Sequence, residues 1–118
     1  MAYRPDMIGV HLMVDGIADR RIGGDNVALI LSELSAVIGM KILTGPLVVE
    51  GKPVSPGWTG FVIIDNSHIS VHTFDAGNEV SIDVFSCKAF EEETVLSFLE
   101  KHIRFERMTT CTLERDAK

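Results

Sequence analysis

Two short runs hold most of the reactive side chains of this chain: Asn66-Ser67-His68-Ile69-Ser70-Val71-His72-Thr73 and Ile82-Asp83-Val84-Phe85-Ser86-Cys87. Both read as β-strands, with the turn formers Asp75-Ala76-Gly77-Asn78 between them. Paired as a hairpin, residues whose numbers sum to about 153–154 face each other. Cys87 then falls opposite Ser67, and His72 opposite Ser81 or Ile82. A hydroxyl, a thiol and imidazoles share one ribbon.

Two familiar uses of these groups fail on spacing. His68 and His72 have the interval that brings two metal ligands together on a helix. On a strand, four residues span roughly 13 Å, whereas ligands must lie about 2 Å from the ion. We therefore expect no metal. A Cys87–His hydrolase lacks a third residue placed to orient the imidazole, and a strand cysteine more often packs than reacts. His11 and His102 read as structural or surface residues. What remains is chemistry at Ser67 itself.

The elements that position these groups are legible from periodicity. Ile8, Val10, Leu12 and Val14 alternate with Gly9, His11, Met13 and Asp15 as in a half-buried strand. Gly16–Gly24 reads as a loop. Asp25 or Asn26 can cap a helix whose Val27, Ile30, Leu31, Leu34 and Ile38 share a face, ended near Gly39. A strand over Ile42–Val49 and a Gly/Pro/Ser loop over Glu50–Gly57 follow. Then come three strands in succession, Trp58–Asp65, Ser67–Phe74 and Val80–Cys87. Phe90-Glu91-Glu92-Glu93 opens a second helix with acids in its first turn. A last strand covers Arg104–Leu113.

The order β-α-β-β-β-β-α-β predicts one α+β domain spanning 1–118, a two-layer sandwich with a mostly antiparallel sheet and both helices on one face. Alternation puts His68, Ser70, His72 and Phe74 on one side of their strand, with Ile69, Val71 and Thr73 on the other. With the aliphatic set against the helices, the open face carries polar and aromatic groups. Such a face suits a site, a dimer interface, or both.

Composition excludes several partners. An apolar fraction of 46% with 24% charged residues is that of an ordinary globular protein. Eleven basic against seventeen acidic side chains give −6 at pH 7, with no basic stripe beyond Arg20-Arg21, so nucleic acid is not expected. No run approaches the ~18 apolar residues of a membrane span. Gly9, His11 and Asp15 interrupt the start where a leader core would lie. Two cysteines, Cys87 and Cys111, with no secretory leader suit reduced thiols and a cytoplasmic location.

Three blocks carry a resemblance: Gly57-Trp58-Thr59-Gly60, Ser67-His68-Ile69-Ser70-Val71-His72-Thr73 and Asp83-Val84-Phe85-Ser86-Cys87. With Val10-His11-Leu12 and the element order, they resemble the prokaryotic S-adenosylmethionine decarboxylases, and the intervals match without gaps. The resemblance implies a self-processing proenzyme. Ser67 attacks the carbonyl of Asn66, and elimination and hydrolysis cut the chain between 66 and 67. The new end is a pyruvoyl cofactor, which forms a Schiff base with the substrate amine and accepts the electrons released with CO₂. It further implies His72 as acid/base in processing, Cys87 as the proton donor after decarboxylation, and Thr59 at the position of a serine that stabilises the processing intermediate. The family builds its sites at a homodimer interface. The product is the aminopropyl donor for spermidine synthesis.

The departures bear on substrate. Asn66 replaces the family's glutamate before the cleaved serine, and Thr59 replaces serine. His72-Thr73-Phe74-Asp75-Ala76 stands where the family has His-Thr-Trp-Pro-Glu. Phe74 keeps an aromatic platform for adenine, Asp75 is the candidate to replace the ribose-binding glutamate lost at Ala76, and Pro53 replaces an aromatic. Two alternatives therefore stand beside the main reading: a pyruvoyl decarboxylase of arginine or ornithine, and a non-cleaving homologue with a binding or regulatory role. Within one chain, Thr59 is expected to pair near Thr73 if Asp65–His68 form the turn, far from Ser67.

Overall fold

The computed structural model of the chain describes residues 7–117. The first six residues and the last of the 118 lie outside them. Among the described residues, six strands and two helices follow in the expected order: β1 (Met7–Ala18), α1 (Gly24–Val37), β2 (Ile42–Glu50), β3 (Trp58–Ile64), β4 (Ser67–Phe74), β5 (Glu79–Ser86), α2 (Glu92–His102) and β6 (Phe105–Asp116). The strands form one sheet in the order β2-β3-β4-β5-β1-β6, and every neighbouring pair is antiparallel.

Alternation selects the face that is covered. Leu12 and Val14 of β1, Val62 and Ile64 of β3, Ile69 and Val71 of β4, and Ile82 and Val84 of β5 are fully buried. They pack with Val27, Ile30, Leu31 and Leu34 of α1 and Val95, Phe98 and Leu99 of α2. Each such side chain removed from water contributes about 1.5–3 kcal/mol, so this one layer holds helices and sheet together. Gly60 lets α1 lie close on β3. A Cβ added there would stand 2.4 Å from Val27 Cγ1 and 2.7 Å from Leu31 Cδ1.

Helix α1 ends as its glycine predicts. Gly39 takes φ +73°, its N–H reaches Ala36 O, and Met40 N–H reaches Ser35 O at 3.0 Å. These paired bonds satisfy carbonyls that the last turn leaves open. Its start differs from expectation: Gly23 is the N-cap, and the Asn26 side chain accepts from Gly23 N–H. Helix α2 begins at Glu92, not Phe90, after the N-cap Glu91.

Two strands outrun their sequence signals. β1 continues through Gly16-Ile17-Ala18, read from sequence as loop, because Gly16 pairs with Val80 on one side and Met108 on the other. β6 reaches Asp116 rather than Leu113, since β1 offers backbone partners along its whole length. Charged Glu114-Arg115-Asp116 has weak strand propensity, and ladder bonding overrides it.

Candidate functional site

Ser67 opens β4 directly after a two-residue turn, Asp65-Asn66, with Ile64 and Ser67 paired across it. Asn66 takes φ +47°, a left-handed conformation that asparagine tolerates better than most residues. The turn is thus shorter than Asp65–His68. The Ser67 side chain is buried, and its Oγ accepts the Cys87 backbone N–H at 2.8 Å. The Cys87 thiol turns toward the same segment and donates to Asp65 O at 3.3 Å.

The hairpin register is the 153 alternative, with His68 opposite Phe85 and His72 opposite Ser81. Continuing it, Ser86 rather than Cys87 falls across from Ser67. Ser86 is buried, and its Oγ donates to Lys88 O at 2.6 Å, which bends the chain just after β5. That bend brings Cys87 back onto Ser67. The hydroxyl and thiol therefore meet as expected, but through the Cys87 N–H and a turn.

Thr59 and His72 form a second pair. They are cross-strand partners on β3 and β4, joined by a hydrogen bond of 2.9 Å between Thr59 Oγ1 and His72 Nδ1. The expected neighbour Thr73 instead faces the helices, where its Oγ1 accepts Trp58 N–H at 2.8 Å. The difference is one register step, set by the shorter turn. His72 lies five residues along β4 from Ser67, roughly 16 Å, and on the other face by alternation. The four residues thus make two hydrogen-bonded pairs at opposite ends of β4.

Between them runs the open face. The His68 ring stacks on Phe61, with centroids 5.2 Å apart, and tilts against Phe85 at 5.6 Å. Arg115 lies 5.1 Å over the Phe85 ring, and His11 Nε2 contacts Asp83 Oδ1 at 3.2 Å. Burial, and then the neighbouring His11, lower the His68 pKa below 6.5, favouring the neutral ring. Sequence reading set His11 aside as structural or surface. The alternation of β1, laid beside β5, was the signal that could have placed it here.

Phe74 stands on the open face beyond His72 and is 43% exposed. Asp75 is already engaged: Arg21 Nε donates to its Oδ2 at 2.9 Å. Ala76 is exposed in the β4–β5 turn, and Pro53 in the β2–β3 loop. Among the described residues, no three His, Cys, Asp or Glu side chains converge as a metal site.

Comparison with known proteins gives one answer. The family model described as S-adenosylmethionine decarboxylase matches residues 22–116. An S-adenosylmethionine decarboxylase proenzyme of Clostridium botulinum (strain Langeland) is 26% identical over 104 residues, covering 85% of this chain and 87% of the relative. That of Prochlorococcus marinus is 28% identical over 114 residues, covering 93% and 91%. That of Thermococcus gammatolerans is 34% identical over 101 residues, covering 81% and 68%. The crystal structure of the adenosylmethionine decarboxylase of Aquifex aeolicus shares the fold, with a TM-score of 0.76 at 18% identity over 96% of this chain and 94% of the other.

Proposed function

Because this chain belongs to the S-adenosylmethionine decarboxylase family, we propose that it is a self-processing carboxy-lyase that releases CO₂ from S-adenosylmethionine. Its product is the aminopropyl donor for spermidine synthesis. The observation that carries the reading is the placement of Cys87 on the 65–67 turn, N–H on Ser67 Oγ and thiol on Asp65 O.

Cleavage begins at Ser67. Its Oγ attacks the carbonyl carbon of Asn66, the C–N bond breaks, and the acyl group passes to oxygen as an ester. Loss of the Ser67 α-proton then expels the Asn66 carboxylate from Cβ. Tautomerisation and hydrolysis release ammonia and leave a pyruvoyl end on residues 67–118. The bonds to Cys87 fit such a group, because they fix the backbone around Ser67 without consuming the hydroxyl proton. Once formed, the pyruvoyl group supplies a carbonyl that accepts the electron pair left by departing CO₂. The Cys87 thiol, held beside residue 67, returns a proton to the substrate carbon.

Thr59 and His72 serve as the oxyanion donor and the acid/base, and they serve the partner's site. A strand distance of roughly 16 Å separates His72 from Ser67 within the chain. A two-fold axis lying between two open faces and running across the strands reverses strand direction. It lays the Thr59–His72 end of one protomer over the Ser67–Cys87 end of its partner. The face is apolar enough to associate: Leu47, Val49, Phe61, Ile63 and Leu113 on it are 38–64% exposed. Phe74, on the same end as His72, belongs to the substrate side. No described helix is long and apolar enough to cross a membrane, and the free thiols Cys87 and Cys111 suit a reducing cytoplasm.

Intact mass tests the processing. Two fragments are expected, residues 1–66 and a pyruvoyl-started remainder. A chain that stays whole after long incubation overturns the reading. Labelled CO₂ release from S-adenosylmethionine, arginine and ornithine then tests the substrate, the last two retained because Arg21 occupies Asp75. Sedimentation at micromolar concentration tests the dimer.

A further inference from the structure

Folding turns one pair of cations into a cluster. Along the chain Arg20-Arg21 stands alone. The structure brings Lys101 and Arg104 to it around a cleft of about 500 Å³, whose carboxylates are Asp19 and Glu100. The whole chain has eleven basic against seventeen acidic side chains, so this lining reverses the balance. We propose that the cleft binds an oligophosphate, the phosphate chain of a di- or triphosphate, and that Arg21 ties its occupancy to the Phe74 end of the sheet. Ala18 in its lining follows Ile17, which shares a cross-strand row with Glu79 and Phe74. Ser67 begins the other end of β4, so the site is separate from the cleavage point and does not depend on it.

Three segments build the walls. The chain leaves β1 through Asp19-Arg20-Arg21 and turns inward at Ile22, which is buried. It leaves α2 at His102 and turns inward again at the buried Ile103. Asp19 N–H donates to Arg104 O at 2.9 Å, which ties the exit of β1 to the entry of β6. The two isoleucines thus anchor the backbone in the core while Arg20, Arg21, Lys101 and Arg104 stay exposed. Asn26, in the first turn of α1, also lines the cleft, and the positive end of that helix adds to the field. Lys101 and His102 lie in the last turn of α2, where cations are favoured without any ligand. That effect accounts for neither Arg20-Arg21 nor Arg104, which come from other segments. Cations gathered on a fixed frame raise the local potential and draw anions.

Most of these donors are free. The side chains of Lys101 and Arg104 make no hydrogen bond or ion pair among the described residues. Arg20 gives Nε alone to Asp19, at 3.3 Å. A guanidinium fork takes phosphate oxygens two at a time, and an ammonium adds a point charge. The cleft has the size of a small-molecule site, which runs about 300–1,000 Å³, so a chain of phosphates fills it better than one phosphate ion. Arg21 is the exception, since its Nε–H donates to Asp75 Oδ2 at 2.9 Å. Asp75 stands outside the cleft, directly after Phe74. An anion in the cleft and the Asp75 carboxylate compete for one guanidinium, and such coupling is reciprocal.

The test is calorimetry on the purified protein at low salt, with sodium tripolyphosphate and, separately, magnesium-free ATP. Each should bind with one site per chain. ATP no tighter than tripolyphosphate assigns the phosphate chain as the whole ligand, and tighter ATP assigns a nucleotide. The double variant Lys101→Gln, Arg104→Gln should weaken binding about tenfold or more. Lys41→Gln, outside the cleft, should change it by less than about twofold. All three side chains are exposed, so the fold is kept. Asp75→Asn, which frees Arg21, should tighten binding by about threefold or more. Wild type without saturable binding of either probe up to about 5 mM, or a double variant that binds as tightly as wild type, overturns the site. Asp75→Asn with unchanged affinity overturns the link through Arg21.

Discussion

Replacing Thr59 with valine isolates the bond that joins it to His72. Valine keeps the shape and β-branching that suit strand β3, and removes only the hydroxyl that meets His72 Nδ1 at 2.9 Å. Both side chains are exposed, so the orphaned imidazole regains water and the fold should lose less than about 1 kcal/mol, or under about 5 °C in Tm. Processing should suffer more. A neutral hydrogen bond contributes about 0.5–1.5 kcal/mol and one to a charged group about 1.5–3. At about 1.36 kcal/mol per decade, this range spans roughly 2- to 150-fold in rate. With His72 proposed as the acid/base of cleavage, the upper part is expected, about 10- to 100-fold. The assay is a time course of intact mass on freshly purified chain, alongside Thr59→Ser, which restores the hydroxyl and should cleave at least as fast as wild type. Cleavage of Thr59→Val within twofold of wild type, or Thr59→Ser as slow as Thr59→Val, refutes the role of this bond.

Cys87→Ala should still cut its chain but release CO₂ far more slowly, and a variant with full turnover excludes the thiol as proton donor. Gly57→Ala should lose at least about 2 kcal/mol, because φ is +152° and its Cβ would stand 2.0 Å from Thr73 O. Gly60→Ala, whose Cβ meets movable side chains of Val27 and Leu31, should lose less, and urea titrations ranking the two in reverse would contradict this packing. Asn66 at φ +47° should accept glycine with little change in Tm but lose about 1 kcal/mol as alanine, measured in the uncleaved Ser67→Ala background. The His68 pKa is lowered by burial and by His11, so below 6.5 the unfolded chain binds the proton more readily than the folded one, and stability drops as the pH is lowered, until the folded-state value is passed. His68→Gln should flatten Tm against pH over that window; parallel curves for variant and wild type would rule this out.

The reactive hairpin was legible because β-strands announce themselves through alternation. Ile69 and Val71 on one side and His68 and His72 on the other assign the faces without coordinates. The turn at 75–78 then limits the register to two choices. Choosing between them needed tertiary structure. Ser86 bonds to Lys88 O and bends the chain, so Cys87 reaches Ser67 by its N–H instead of sitting across from it. The same one-step ambiguity hid the Thr59–His72 pair until the two-residue turn at Asp65-Asn66 appeared. Asp75 illustrates a different limit. Nothing local tells that Arg21, 54 positions away, holds its carboxylate.

Sequence alone thus determined the element order, the covered face and the identity of the serine, histidine and thiol, since residue type and period are local properties of the chain. Tertiary structure decided which of these groups touch. It joined Ser67 to Cys87 and Thr59 to His72 and kept the pairs apart, because strand register and turn length convert a one-residue shift into a change of face and neighbour.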